Sequence, residues 1–286
     1  MSVYLRFRRE TDSIALNGVA RNGHGVEALT GVTGLGLPPV STQWLTGAGD
    51  GALYRGRRVQ PRDIDIKLYF FLPDREALEA ELARMAAMLD GPCALDVVSD
   101  GGQYWTTEVV RVGGGDFVYG KDTIGENELT TVVTLRAGDP YFTSSITETQ
   151  AVSNAGVGRG LLGNLSKLQV SASQAIGSML IDNRGDAVAW PVWRVTGPGR
   201  DLTVTLPNGQ GFVWEGELED GEVLVIDSKA ASVKLSTGEN RYGDLGPAPK
   251  FLPLPRGSTL VTVSMDDTTS ASAVQCTWRT RKWWVI

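Results

Sequence analysis

The sequence predicts a mainly β protein. Its first part is a β-barrel- or sandwich-like domain with one α-helix, and its second part is a further β-sandwich. Three observations carry that prediction. Short apolar runs separated by turn residues fill most of the chain, with 35 glycines among 286 residues. Only one segment, residues 74–90, repeats its apolar positions at the helical period. The length itself is that of about two domains, and a chain of this size buries roughly three quarters of its unfolded surface without disulfide or metal staples.

The elements follow in order. Val3, Leu5 and Phe7 alternate with Tyr4, Arg6 and Arg8, the period of a half-buried strand. The Gly-rich stretch ending at residues 31–40 is too punctuated for a regular element and reads as a loop with a short strand. In residues 63–71, Ile64, Ile66, Leu68 and Phe70 share one face, and Asp63, Asp65 and Lys67 share the other. A slip of one residue would bury three charges, so the register is well specified. The helix at 74–90 sets Leu78, Leu82, Met85 and Leu89 in one stripe opposite Glu76, Glu79, Glu81 and Arg84. Asp74 can cap its start and Gly91-Pro92 stops its end. It is expected to lie on a sheet as a single lid. Strands resume at 94–98 and 104–112 around an Asp100-Gly101 hairpin turn, and again at 128–136. Gly138-Asp139-Pro140-Tyr141-Phe142 reads as a domain exit.

The expected domains are therefore 1–143, containing the helix 74–90, and 177–286. Between them residues 144–176, rich in Ser, Gly, Asn and Gln, read as a linker or extended arm. In the second domain, turns at Asn208-Gly209, Asp220-Gly221 and Thr237-Gly238 separate short strands at the spacing of a sandwich. The Pro-rich loop 247–255 is not expected to form a central strand.

Charge and composition exclude several functions. Residues 1–148 hold 14 basic and 20 acidic residues, and residues 149–286 hold 13 of each. Neither half has the basic balance of a nucleic-acid binder, so stable nucleic-acid binding is not expected. The basic clusters Arg55-Gly56-Arg57-Arg58 with Arg62, and Arg279-Thr280-Arg281-Lys282, read as solvated strand faces or protein-contact rims. No apolar run reaches the length of a membrane span, and residues 1–10 have no apolar core of an export signal. Cys93 and Cys276, 183 residues apart, read as two buried thiols.

No motif rises to a catalytic, cofactor or metal site. Gly158-Arg159-Gly160-Leu161-Leu162-Gly163, with Asp182 beyond it, matches a dinucleotide fingerprint on paper. It lacks the buried strand before it and the βαβ series around it. Asp63 with Asp65, and Glu215 with Glu217 and Glu219, are carboxylates at alternate strand positions. They point in parallel and do not face each other across a cleft, as glycoside hydrolysis needs. His24, the one histidine, sits between two glycines with no nucleophile elbow in the chain. Trp190, Trp193 and Trp214 read as core or rim of the second domain. Trp283 and Trp284 are adjacent, so one must face outwards or into a partner.

The order of several segments resembles the siphophage distal tail protein family. In the second half these are Asp182-Asn183-Arg184-Gly185-Asp186-Ala187, Trp190-Pro191-Val192-Trp193-Arg194 to Gly199, Gly221 to Asp227, Ser236 to Asn240 and Leu254-Pro255-Arg256-Gly257. In the first half they are Gly49-Asp50-Gly51, the basic run to Arg62, the strand to Phe71, the lone helix and Gly138 to Phe142. The resemblance implies an N-terminal domain closing into a hexameric ring and a galectin-like C-terminal sandwich, in a minor tail protein of the virion made in the host cytoplasm. It implies a structural role at the distal tip of a long non-contractile tail. The implied partners are sister subunits, the tail tube protein, the tail-associated or tail-tip fibre protein and the tape measure protein. It implies no catalytic residue and no cofactor. An acidic first half, if it lines a lumen, would repel DNA phosphate and leave passage unobstructed. The alternative is a glycan-binding module contacting the host surface through the Trp-rich second domain. An enzyme, a hydrolase using Asp63 or Glu217, is the third reading.

Overall fold

The computed structural model describes residues 3–123, 126–153 and 176–285. It divides the chain into two compact units, Met1–Ser145 with Lys282–Ile286, and Ile146–Arg281. Both are built mainly from antiparallel strands. Residues 282–285, expected in the second domain, thus pack in the first unit. The expected arm at 144–176 begins as strand, and its residues 154–175, including the Gly158–Gly163 motif, lie outside the described residues.

The first unit contains, in chain order, β1 (Tyr4–Arg9), β2 (Asp12–Ala15), α1 (Gly18–Asn22), β3 (Gly25–Ala28), β4 (Val40–Thr46), β5 (Ala52–Val59) and β6 (Arg62–Phe71). There follow α2 (Arg75–Met88), β7 (Cys93–Val98), β8 (Tyr104–Gly114), β9 (Glu128–Ala137) and the start of β10 (Phe142–Ser153). Strands neighbour one another in the order β2-β1-β7-β8-β9-β6-β3. The sheet curls but its ladder stays open. Leu16 spans the gap, donating to Leu5 O and accepting from Ala28 N, at 2.8 and 2.9 Å. The alternation in β6 does what its sequence dictates: Ile64, Ile66, Leu68 and Phe70 are buried. They meet Phe7, Leu95, Val109, Leu135 and Phe142 in one core, each such side chain contributing about 1.5–3 kcal/mol. The α2 helix closes this core with Leu78, Met85 and Met88, and Asp74 Oδ1 accepts from Ala77 N at 2.8 Å, the expected cap.

The second unit contains β11 (Gly177–Asn183), β12 (Val192–Thr196), β13 (Gly199–Thr205), β14 (Gly211–Leu218), β15 (Val223–Asp227), β16 (Ser232–Leu235), β17 (Gly257–Asp266) and β18 (Ala273–Lys282). Strands β11-β17-β13-β14 make one layer and β16-β15-β12-β18 the other. Their inward residues form a second core around the fully buried Trp193 and Trp214, with Phe212, Ile226, Val263 and Cys276. Asn183 is 1% exposed and fully used. Its Nδ2 donates to Ala187, Leu254 and Pro255 carbonyls, and its Oδ1 accepts from Gly185 N. That residue fixes the Pro-rich loop, whose Leu252 and Leu254 plug the sandwich.

Candidate interaction surfaces

The sequence-derived chemical candidates do not converge. Asp63 pairs with Arg136 at 2.7 and 2.8 Å, and Asp65 accepts from Thr134 Oγ1 at 2.7 Å. The Arg136 guanidinium holds the Asp63 carboxyl below the usual carboxylate range. Glu215 and Glu217 stand on the exposed face of β14, with Glu219 just beyond. Asp182 pairs with Arg184 at 2.8 Å. His24 is exposed in the turn after α1, between Gly23 and Gly25, both at positive φ. Cys93 and Cys276 are free and buried. Burial pushes the Cys93 thiol up to about 11 and raises Cys276 further. Among the described residues no three His, Cys, Asp or Glu side chains gather as a metal cluster would, and no helix is long and apolar enough to cross a membrane.

What the first unit does present is contact surface. Strands β4 and β5 form a two-stranded sheet of their own, paired from Val40↔Val59 to Thr46↔Ala52. Every residue of β4 is exposed. Near the tip, Trp44 and Tyr54 pack edge to face, 5.3 Å between ring centroids, and Trp44 Nε1 donates to Thr42 Oγ1 at 3.0 Å. Leu45 pairs with Leu53 on the opposite face. Arg55, Arg57 and Arg58 line the returning strand. An isolated hairpin is marginal in water, because neither face has a layer to bury against. This one exposes four large apolar side chains near its end.

At the root of the hairpin lies Arg62, 1% exposed. Its Nη1 donates to Gly34 O and Gly36 O at 3.1 and 2.9 Å, and its Nη2 to Trp283 O at 2.5 Å. Its guanidinium stacks over Phe142, 4.9 Å from the ring centroid. Burial lowers its pKa to about 10. Sequence reading placed Arg62 in an exposed basic cluster. The structure corrects this: three carbonyls and a ring enclose it. The same holds for Arg281, which is 8% exposed and donates to Val188 O at 2.8 Å. Lys282 Nζ sits 4.8 Å above the Trp105 ring. Arg57 covers Trp283 at 5.0 Å, and Trp284 is left 54% exposed, meeting the expectation for that pair. Trp284 lines a cleft of about 370 Å³ with Tyr4, Leu16, Val32, Leu35 and Val285. Trp193 and Trp214 are core residues, and Trp190 lies at the rim, 36% exposed.

Residues 184–283 match the family model described as the siphovirus-type tail component, C-terminal domain. No curated protein matches the chain by sequence. The fold is similar to the crystal structure of the SPP1 Dit (gp 19.1) protein, described as a paradigm of the hub adsorption apparatus in Gram-positive-infecting phages. The TM-score is 0.67 at 11% identity, over 98% of this chain and 99% of that one. A chain of the phage P2 baseplate in its activated conformation with Ca matches with TM-score 0.55, and one of the form with Sr with 0.54. Both are at 11% identity over the whole of each chain. The resemblance to distal tail proteins is thereby borne out: by the family model over residues 184–283, and as a shared fold over the rest.

The β4–β5 hairpin was missed by sequence reasoning, which left residues 31–40 as loop with a short strand. The available signal was the turn composition of Gly47-Ala48-Gly49-Asp50-Gly51 between two apolar-containing runs. The burial of Asp96 was also missed. It is fully buried and takes Arg6 at 2.6 Å and Arg8 at 2.9 Å, with both guanidinium groups over Tyr104.

Proposed function

We propose that this siphovirus-type tail component is the subunit of a hub ring at the distal end of a long non-contractile tail. Six copies close around a lumen through which DNA passes. The ring joins the tail tube to the tail-tip or host-recognition apparatus, with the tape measure protein as a further contact. The observation that supports this most is the full-length fold match to a hub protein, in a chain whose own exposed features are contact surfaces. The role is structural, without bond-making chemistry: the candidate carboxylates are ion-paired or solvated on open strand faces. The excess negative charge of residues 1–148 suits a lumen that must not hold DNA. The N-terminal unit forms the ring, and the sandwich is a second, galectin-like domain in its resemblance.

The test is to image tails labelled with antibody against this chain, alongside particles from a phage in which its gene carries a stop codon. Label confined to the distal tail end, and loss of tails or tips in the mutant, support the reading. Label along the whole tube, or normal tails without the protein, would end it.

A further inference from the structure

The first unit carries a second exposed apolar projection besides the hairpin. Between β8 and β9 the chain leaves the sheet, and Phe117, Val118 and Tyr119 turn outwards, Tyr119 being 89% exposed. The loop is a built structure. Val118 N donates to Asp122 Oδ2 at 2.7 Å, Asp122 N to Val118 O at 2.8 Å, and Gly115 N to Val132 O at 2.7 Å. Thr131 Oγ1 donates to Asp116 O and Thr130 N to Asp122 O, tying the loop to β9.

The two projections differ in charge. The hairpin strands carry Arg55, Arg57 and Arg58 and no acidic residue, with only Asp50 in the turn. The loop carries Asp116 and Asp122 against Lys121. Beside it the start of α2 adds Asp74, Glu76 and Glu79. Arg75 is paired with Glu79 at 2.7 Å and lies near Glu126 and Tyr119. One end of the unit is therefore aromatic and basic, the other aromatic and acidic.

They also lie at opposite ends of the same pair of strands. The hairpin runs into β6 at Arg62, which pairs with Ala137, and Gln60 N holds it to Pro39 O. The loop is rooted on β9 at Thr130 and Thr131, opposite Tyr69 and Leu68. Six to seven residues of β6 separate the roots, about 20 Å at a strand's rise. A surface whose complement lies on the far side of the same molecule makes a heterologous, head-to-tail contact. Repeated, such a contact gives a ring when its rotation closes.

We infer that the β4–β5 hairpin of one copy seats against the 115–123 loop and α2 start of the next copy. Leu45 and Leu53, on one face of the hairpin, meet Phe117, Val118 and Tyr119, and the hairpin arginines face the acidic rim. Trp, Tyr and Arg are the residue types that most often anchor interfaces. The occupant is a second copy because the chain itself supplies both halves of the complementary pair. This inference rests on the ring reading above and adds the surfaces that close it.

The test uses the full chain carrying Leu53→Cys and Val118→Cys. Both positions are exposed, and the native cysteines are buried. After mild oxidation, a non-reducing gel is expected to show a ladder of dimers, trimers and larger species. Each single-cysteine variant stays monomeric on the same gel, since a head-to-tail contact keeps two copies of one position apart. Arg58→Glu alone or Asp116→Lys alone slows crosslinking about tenfold, and the two together restore it. Dimers from Leu53→Cys alone would overturn the contact in favour of a tip-to-tip one. Rings by light scattering without a ladder from the double-cysteine chain would overturn the contact and leave the ring reading intact. A wild-type chain that stays monomeric even when mixed with its tail proteins would overturn both.

Discussion

Replacing Asp96 by Asn removes one charge at the centre of the β1–β7–β8 face. The carboxylate is fully buried and accepts four N–H contacts from Arg6 and Arg8, between 2.6 and 3.1 Å. Removing one partner from a fully buried ion pair costs about 3–5 kcal/mol. Here the arginine side chains keep 23% and 37% of their surface exposed, so their charges can rehydrate on losing Asp96. The expected loss is therefore smaller, about 2–3 kcal/mol. At ~2–4 °C per kcal/mol for a unit of this size, the unfolding midpoint falls by roughly 5–10 °C. Urea and thermal unfolding followed by near-UV circular dichroism measure both quantities. Arg6→Ala with Asp96→Ala should cost less than the sum of the two singles, because each removes the same contact. An Asp96→Asn protein within about 0.5 kcal/mol of wild type would refute the assignment of a stabilising role to this buried carboxylate.

Other outcomes follow from individual contacts. The Tyr69 hydroxyl donates to Glu128 Oε2 at 2.5 Å, and this bond, then burial and the Glu128 charge, push its pKa up to about 12. Its folded value lies above its ordinary value of 10, so its contribution to stability is complete below pH 10 and is lost as pH rises towards 12. A late ultraviolet-absorbance step should vanish in Tyr69→Phe, and its persistence would refute the assignment. Gly216→Ala would place a Cβ 2.2 Å from Cζ2 of the buried Trp214, with an expected destabilisation of about 1–3 kcal/mol in urea unfolding. Cys93 and Cys276, buried with raised pKa values, should react slowly with a thiol reagent at pH 8 in the native protein and quickly after denaturation. Fast native labelling would contradict their burial.

The regular parts of the fold were legible because burial on one face writes a period into the sequence. The β6 strand, with Ile64 to Phe70 inward and Asp63 and Lys67 outward, is the clearest case. The α2 helix was legible from its stripe and its Asp74 cap, although its last turn ends at Met88, two residues short of the expected end. The hairpin β4–β5 was not legible for the opposite reason: both faces are exposed, so no alternation marks it. The five-residue α1 buries no side chain and has no stripe to read. Arg62 and Arg281 read as surface charges because their partners are backbone carbonyls far along the chain, which composition does not mark. Trp193 and Trp214 were read as core or rim of the second domain and lie in its core, since large aromatic side chains on alternating strands bury the most apolar surface there. For the contact surface, it was legible that one of Trp283 and Trp284 faces outwards, and the structure shows that it is Trp284. The hairpin aromatics became visible only once the strand pairing was known.

The proposed assembly into a closed ring is tested most directly by the mass of the assembled particle. Native mass spectrometry of the full chain, alone and with its tail proteins, is expected to give a species of six times 30.7 kDa, with a central hole in negative-stain images of the same sample. A protein that remains a single 30.7 kDa chain under all these conditions, or that grows into open filaments of no fixed mass, would contradict it.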